Sequence, residues 1–131
     1  MLVVDTSALM ETLVGRAPDP ALVERLSADG DLHAPHLIDV EILHVLRRLT
    51  LAGALSDDRA HDARVDFAEL AVLRYPHEPL ANRIWDLRHN LTPYDAVFVV
   101  LAEALDAPLV TCDARLAAAP GVRAGIELFA R

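Results

Sequence analysis

Short apolar runs alternate with longer segments of helical spacing along almost the whole chain. The runs are LVV, DLHAP, LRY, PLVTC and GIELF, in that order. Between them, apolar residues recur every three or four positions, as they do on one face of a helix. Strands that alternate with helices are typical of a parallel sheet covered by helices on both faces. The sequence therefore predicts an α/β fold, a three-layer α/β/α sandwich around a central parallel sheet of about four to five short strands.

Capping residues mark where several helices begin. Asp19 precedes Pro20, Ser56 precedes two acids, and Thr92 precedes Pro93, and each pattern favours the first turn of a helix. The segment after Thr92 is apolar on nearly all sides, so we expect its helix to be buried. The predicted helices begin at Thr6 or Ser7, run from Pro20 to Gly30, from Leu37 to about Ala52, from Ser56 to about Val72 and from Pro93 to about Asp106, and cover 79–89 and 113–119.

Length and composition fit a single domain over residues 1–131. The chain has 131 residues, of which 53% are hydrophobic, and this suffices for one core. The N-terminus lacks the basic segment of a signal peptide, and Glu103 interrupts the longest apolar stretch. We therefore expect a soluble cytoplasmic protein with no membrane association. Cys112 is the single cysteine, which excludes an internal disulfide.

The formal net charge is −8, and every basic residue is Arg. A protein that coats nucleic acid nonspecifically needs excess positive charge, so that class is disfavoured. A nuclease is not excluded, because a metal-dependent active site is itself acidic. The absence of Lys argues against receiver domains, aspartyl-phosphate phosphatases and P-loop proteins, which hold phosphate with a Lys. No GxGxxG or GxSxG motif indicates a dinucleotide site or a serine hydrolase.

Four acids border or interrupt the most apolar segments: Asp5, Glu41, Asp95 and Asp113. The carboxyl ends of parallel strands meet at one edge of a sheet, where distant side chains can share a pocket. Two carboxylates about 5 Å apart repel by roughly 3 kcal/mol at an effective dielectric near 20, so such a pocket needs protonation or a divalent cation. Hard oxygen ligands select Mg²⁺ or Mn²⁺, which suit phosphodiester hydrolysis. As alternatives, the three Asp residues could cap helices and Glu41 could be solvated at a helix border.

Four segments, in this order and spacing, resemble the PIN domain of the VapC toxin family: VVDTSAL, DVEILHVLRR, LTPYDAVFVVLAEAL and LVTCDARL. The resemblance spans nearly the whole chain and implies the toxin of a type II toxin–antitoxin system. Such a toxin is a Mg²⁺- or Mn²⁺-dependent endoribonuclease that hydrolyses structured RNA through metal-activated water. The resemblance also implies a homodimer and a cognate VapB-like antitoxin, whose Arg-containing segment would enter the acidic pocket. The alternative is a PIN-like module without catalysis that scaffolds an antitoxin or repressor complex.

The resemblance also assigns roles to individual residues. It implies metal binding and catalysis for the four acids, Asp5, Glu41, Asp95 and Asp113, and supporting hydroxyls at Ser7 and Thr111. Ser7 as a plain helix cap and Thr111 as an ordinary strand residue are the alternatives. Some relatives place a further acid and an aromatic shortly after the last acid, whereas Arg115, Leu116 and Ala117 follow here. We therefore expect one ion, held by the three Asp residues with Glu41 directly or through water.

Candidate RNA contacts flank these acids in the sequence. Arg48 lies two turns beyond Glu41, and Arg88 and Asn90 precede LTPYD. The alternative is that these side chains only keep the surface soluble. Trp85 and Tyr94 could stack on bases, but aromatics near a helix start are more often buried, and we expect burial here.

Overall fold

A five-stranded parallel sheet forms the centre of the molecule. The computed structural model describes residues 1–131, apart from the side chain of Asp29. The sheet has the order β3-β2-β1-β4-β5, with β1 (Leu2–Val4), β2 (Leu32–Pro35), β3 (Val72–Tyr75), β4 (Leu109–Thr111) and β5 (Ile126–Leu128). In register, Val3 pairs with His33 on one side and with Leu109 on the other. The predicted parallel α/β sheet is confirmed.

Helices cover both faces of this sheet. They are α1 (Thr6–Val14), α2 (Pro20–Asp29), α3 (Leu37–Leu51), α4 (Asp57–Glu69), α5 (Ala81–Asp86), α6 (Pro93–Leu105) and α7 (Ala114–Ala117), with a 3₁₀ turn at Glu78–Leu80. Helix α1 packs with α3 and α4, whereas α6 packs across β1, β2 and β4 with α5 beside it. In the described part of the chain, no helix has the length and apolar character needed to span a membrane.

The strand order reverses direction between β1 and β4. From β1 the chain moves outward to β2 and β3, then returns to the other side of β1 for β4 and β5. Right-handed crossovers therefore put the helices before β3 on one face and those after it on the other. Open α/β sheets form their ligand crevice at such a reversal, outside the carboxyl ends of the strands. Asp5 directly follows β1 at this point, and Thr111 ends β4.

Helix α6 is the most buried helix of the fold. Its residues Ala96 to Ala102 are all buried in succession, as the apolar sequence after Thr92 predicts. The Thr92 hydroxyl accepts a hydrogen bond from the backbone N–H of Asp95 at 3.3 Å, which is the N-cap that the sequence indicates. This cap fixes the first turn of α6 and with it the position of Asp95.

Three predicted helix ends are wrong, and the shortest of these helices, predicted over 113–119, ends at Ala117. Helix α4 ends at Glu69, because Leu70 has extended backbone angles (φ −72°, ψ 132°) and Val72 already pairs in β3. The helix predicted over 79–89 is a 3₁₀ turn followed by α5, which ends at Asp86 because Leu87 lies in the bridge region (φ −87°, ψ 3°). Because the chain leaves the helix after Asp86, Leu87 and Leu91 both enter the core. Local helix signals do not contain this tertiary requirement.

Glu103 ties α5 and the segment before β5 to α6. Arg83 donates to its carboxylate through Nε at 2.8 Å and Nη2 at 3.2 Å, and the backbone N–H of Arg123 donates at 2.8 Å. Burial alone would raise the pKa of Glu103, but the hydrogen bonds from Arg83 and Arg123 outweigh it, so the net pKa lies below its ordinary value. The ionised form therefore stabilises the fold.

Replacing Glu103 with glutamine should lower the free energy of unfolding by about 2 kcal/mol at neutral pH, because charge-assisted hydrogen bonds become neutral ones. The difference should shrink as the pH falls through the lowered pKa of Glu103, where the wild-type carboxylate is protonated too. Urea unfolding at neutral and acidic pH measures both effects. Glu24→Gln, at an exposed position of α2, is the matched control. An equal loss at both pH values would contradict the role of the ionised carboxylate.

Candidate functional site

Four carboxylates meet at the edge of the sheet where the strand order reverses. Asp5 follows β1, Asp113 follows β4, Asp95 lies in the first turn of α6, and Glu41 lies in the second turn of α3. Together they line one cavity of about 360 Å³, the acid cavity. Its other lining residues are Thr6, Ser7, Met10, His44, Val45, Arg48 and Arg131. The structure thus brings all four sequence-derived acids around a common space.

Asp5 is the buried acid of this group, with 7% of its surface exposed. Its side chain makes no capping hydrogen bond to α1, so the helix-cap alternative is wrong. Instead, Ser7 Oγ and Thr111 Oγ1 both donate to Asp5 Oδ2, at 2.6 and 2.8 Å. Burial raises the pKa of Asp5 more than these hydroxyls lower it, and the charge of Asp95 raises it further. The carboxylate is rigidly held but costly to ionise without a nearby cation.

Ser7 and Thr111 connect the end of β4 to the start of α1. Their oxygens lie 3.2 Å apart. The backbone N–H of Cys112 donates to Ser7 Oγ, and that of Asp113 donates to Thr111 Oγ1, each at 3.0 Å. Each hydroxyl therefore accepts from the backbone while it donates to Asp5. This arrangement fixes the orientation of the Asp5 carboxylate, and neither a plain helix cap nor an ordinary strand residue would account for it.

Glu41 reaches the acid cavity from the opposite side. Thr6 Oγ1 donates to Glu41 Oε1 at 2.7 Å. Burial raises the pKa of Glu41, the Thr6 hydroxyl lowers it, and the charges of Asp5 and Asp95 raise it, so the net pKa lies above its ordinary value. Sequence reasoning missed Thr6, although its place beside Asp5 in the segment DTS was an available signal. Thr6 positions Glu41 as Ser7 positions Asp5.

A guanidinium bridges the other two acids. Arg115 Nη2 lies 3.1 Å from Asp95 Oδ2 and 3.5 Å from Asp113 Oδ2. Asp113 also caps α7, because its Oδ1 accepts from the N–H groups of Arg115 and Leu116, so the helix-cap alternative holds for that oxygen. The Arg115 side chain is 75% exposed, and surface pairs of this kind are weak. Sequence reasoning noted Arg115 only as a departure from relatives and did not foresee this bridge.

The donor set of the acid cavity fits Mg²⁺ or Mn²⁺, because carboxylate and hydroxyl oxygens are the hard ligands these ions prefer. Among the described residues, no three His, Cys, Asp or Glu side chains are close enough together to hold a metal ion between them. Mg²⁺ usually keeps several waters and contacts only one or two carboxylates of a protein. The residues therefore fit a partly hydrated ion rather than a closed cage.

The candidate RNA contacts fall in two places. Arg48 lines the acid cavity, whereas Arg88 and Asn90 line a neighbouring cavity of about 490 Å³. Asp95 borders both cavities. Asn90 Nδ2 donates to the backbone oxygen of Pro120 at 3.1 Å, so this amide also holds the segment that leads to β5.

The predicted burial of Trp85 and Tyr94 is wrong. Trp85 is 65% exposed and Tyr94 is 64% exposed. Leu87 and Leu91 fill the core next to α5, so the indole is not needed there. Arg88 instead stacks on the Trp85 ring, with its Cζ atom 4.7 Å from the ring centroid. The general tendency of aromatics near a helix start to be buried does not hold for these two residues.

Comparison with known proteins decides the family. The PIN domain family matches residues 2–122 of the chain. Ribonuclease VapC1 of Mycobacterium tuberculosis is 44% identical over 127 residues, which cover 96% of each chain. This chain belongs to the VapC family of PIN-domain proteins. The family resemblance predicted from four sequence segments is confirmed.

Two solved structures are similar to this VapC-family chain. PAE2754 from Pyrobaculum aerophilum superimposes with a TM-score of 0.71 at 22% identity, over 95% of this chain and 81% of that one. VapBC2 from Rickettsia felis, bound to a DNA fragment from their promoter, gives a TM-score of 0.66 at 10% identity, over 97% of both chains. At these identities the similarity concerns the fold alone. It confirms the predicted PIN-like sandwich of this VapC-family member.

Proposed function

We propose that this VapC-family protein is the toxin of a type II toxin–antitoxin system and acts as a Mg²⁺- or Mn²⁺-dependent endoribonuclease. The observation that carries the proposal is the meeting of four carboxylates in one cavity at the β1–β4 reversal. The name of its relative, Ribonuclease VapC1, supports RNA as the substrate. Residues 1–131 would act as one cytoplasmic domain.

The four acids would differ in how they hold the ion. Asp5, Asp95 and Asp113 would hold one ion, with Glu41 reaching it directly or through water, while Ser7 and Thr111 keep Asp5 oriented. A divalent ion held there would supply positive charge to a phosphodiester and lower the pKa of a water molecule. Arg48, at the border of the acid cavity, would contact an RNA phosphate.

The raised pKa values of Asp5 and Glu41 support a site built for a cation. Burial and mutual repulsion make these carboxylates costly to ionise, and a divalent ion would offset that cost. Without positive charge, RNA phosphates would be repelled from a cavity that already contains four acids. The acids would therefore bind the cation, and RNA could approach them only when that cation is present.

The same cavity suits an inhibitory arginine. Arg115 already places a guanidinium against Asp95 and Asp113, so these acids have the charge to pair with an Arg of a VapB-like antitoxin. The structure of VapBC2 from Rickettsia felis supports a partner of this class. We propose that such an antitoxin inhibits this protein by occupying the acid cavity, and that the protein forms a homodimer.

The proposal is tested by incubating purified protein with RNA in Mg²⁺, Mn²⁺ or excess EDTA. We expect cleavage only with the metals, and none from a folded Glu41→Gln variant. Expression should arrest growth in the wild type but not in this variant. Glu24→Gln is the matched control, because Glu24 is exposed on α2. Undiminished cleavage in EDTA would refute metal dependence, and a complete lack of cleavage and toxicity would favour the inactive scaffold.

A further inference from the structure

Trp85 is exposed, and its indole does not pack in the core. It is the single tryptophan of the chain, and it lies on α5 with 65% of its surface exposed. The core next to α5 is filled by Leu87 and Leu91 instead. A tryptophan held on a short, anchored helix offers a rigid flat surface to a ligand at little cost in side-chain entropy.

This side chain lines the cavity of about 490 Å³ next to the acid cavity. The volume falls within the roughly 300–1,000 Å³ of pockets that hold small ligands. Ile84, Leu91 and Pro93 contribute apolar surface, and Asn90 and Thr92 contribute polar atoms. Because Asp95 borders both cavities, a ligand group bound here would continue directly into the space between the four carboxylates.

Two arginines and one acid line this cavity in a protein of net charge −8, and one of the arginines, Arg115, is paired with Asp95 and Asp113. Arg88 and Arg115 line it, and Asp95 is the one acid in its described lining. Arg88 stacks on the Trp85 ring and also donates through Nη1 to the Trp85 backbone oxygen at 3.1 Å. A guanidinium that stacks through its face keeps outward N–H groups for a phosphate. An aromatic plane and guanidinium donors are thus combined in one small space.

We propose that this space, the Trp85 cavity, binds an unpaired nucleotide adjacent to the scissile phosphodiester of RNA. The base stacks with Trp85, Arg88 contacts one flanking phosphate, and Arg115 contacts another when the bound cation replaces it at Asp95 and Asp113. The proposal rests on the proposed function, since it requires the neighbouring phosphodiester to lie in the acid cavity. An RNA strand fits better than a protein segment, because stacking on aromatics and phosphate contact through arginine are the two general means of single-strand recognition.

Because Trp85 is the single tryptophan, its fluorescence reports directly on this cavity. We would titrate the Glu41→Gln protein, in Mg²⁺, with a short single-stranded RNA and with an RNA of equal length that carries abasic positions. The intact RNA should quench the fluorescence to saturation, and the abasic RNA should bind about tenfold more weakly, as expected for one lost base stack. Trp85→Ala in the same background should weaken binding of labelled RNA by a similar factor, whereas Trp85→Phe should retain most of the affinity. Leu51→Ala, at an exposed position of α3, should change nothing.

The arginine contact has a separate signature in the salt dependence of binding. Arg88→Ala should reduce the slope of log affinity against log salt concentration by about 0.7, the value for one phosphate contact on a single strand. Trp85→Ala should lower the affinity at every salt concentration and leave the slope unchanged. Arg64→Ala, at an exposed position of α4, controls for the loss of one positive charge.

Equal binding of intact and abasic RNA, or unchanged affinity in Trp85→Ala, would overturn the proposal. Quenching by an antitoxin peptide but by no RNA would also overturn it and assign the cavity to a protein partner. Failure of the proposed function is distinguishable from these results. If wild-type protein cleaves RNA with Mg²⁺ and Trp85→Ala binds normally, only the nucleotide site is refuted. If Trp85→Ala loses RNA affinity but wild-type protein never cleaves, only the nuclease function is refuted.

Discussion

Replacing Asp5 with asparagine should reduce RNA cleavage by at least about a thousandfold in kcat/KM, which corresponds to about 4 kcal/mol of lost transition-state stabilisation. Asp5 is the acid that Ser7 and Thr111 orient, and it lies at the point where the strand order reverses. Asparagine keeps an oxygen for those two hydroxyls but removes the charge that would hold the cation. Cleavage measured under single-turnover conditions with saturating Mg²⁺ tests this directly.

The same substitution should leave the metal-free protein at least as stable as the wild type at neutral pH. Burial and the charge of Asp95 raise the pKa of Asp5 in the folded state. A carboxyl with a raised folded pKa stabilises the fold only below its unfolded pKa, and that contribution is lost as the pH rises through the folded value. The advantage of Asp5→Asn should therefore shrink as the pH falls, because the wild-type carboxyl then becomes neutral as well.

Thermal unfolding across this pH range measures the stability, and Asp62→Asn is the matched control because Asp62 is exposed on α4. Asp62→Asn should retain wild-type cleavage. A folded Asp5→Asn protein that cleaves RNA within about tenfold of the wild type would contradict the central role of this carboxylate.

The positions of the acids were predictable because strand ends are local signals. In a chain whose strands alternate with helices, a carboxylate directly after an apolar run, as at Asp5, is expected at the edge of a parallel sheet, and the Thr92 cap fixes Asp95 in the first turn of α6. Glu41 was harder to place, because a helix can lean in several directions over a sheet edge. Its place inside the apolar segment LIDVEILHVL singled it out, and the family resemblance then implied a role for it at the site.

Contacts that depend on the direction of one long side chain could not be predicted in this way. The Arg115 bridge requires α7 to place a flexible guanidinium between two acids that lie 18 positions apart in sequence. The exposure of Trp85 depends on which neighbouring leucines reach the core after α5 ends early. The end of α4 likewise depends on the pairing of Val72 in β3. Each of these outcomes is decided by tertiary packing, which overrides local propensity.

Arg115 should compete with the metal for Asp95 and Asp113, so its removal should strengthen binding of Mn²⁺ to the free protein. At a Mn²⁺ concentration of 100 times Kd, the wild-type protein should gain about 2.7 kcal/mol of stability from the bound ion. The two exposed contacts of Arg115 together account for about a tenfold change in affinity. At the same Mn²⁺ concentration, Arg115→Ala should therefore gain about 4.1 kcal/mol.

Calorimetric titration with Mn²⁺ and thermal unfolding provide two independent measurements of this effect, and Arg64→Ala controls for the change in net charge.

The two roles of Arg115 predict opposite responses in one variant. Arg115→Ala should bind Mn²⁺ more tightly, because a cation no longer occupies the space between Asp95 and Asp113. At saturating metal it should bind RNA more weakly, because the Trp85 cavity loses a phosphate contact. Unchanged or weaker Mn²⁺ binding by this variant would show that the guanidinium does not compete with the metal for these carboxylates. An arginine that only supports the fold would give that result.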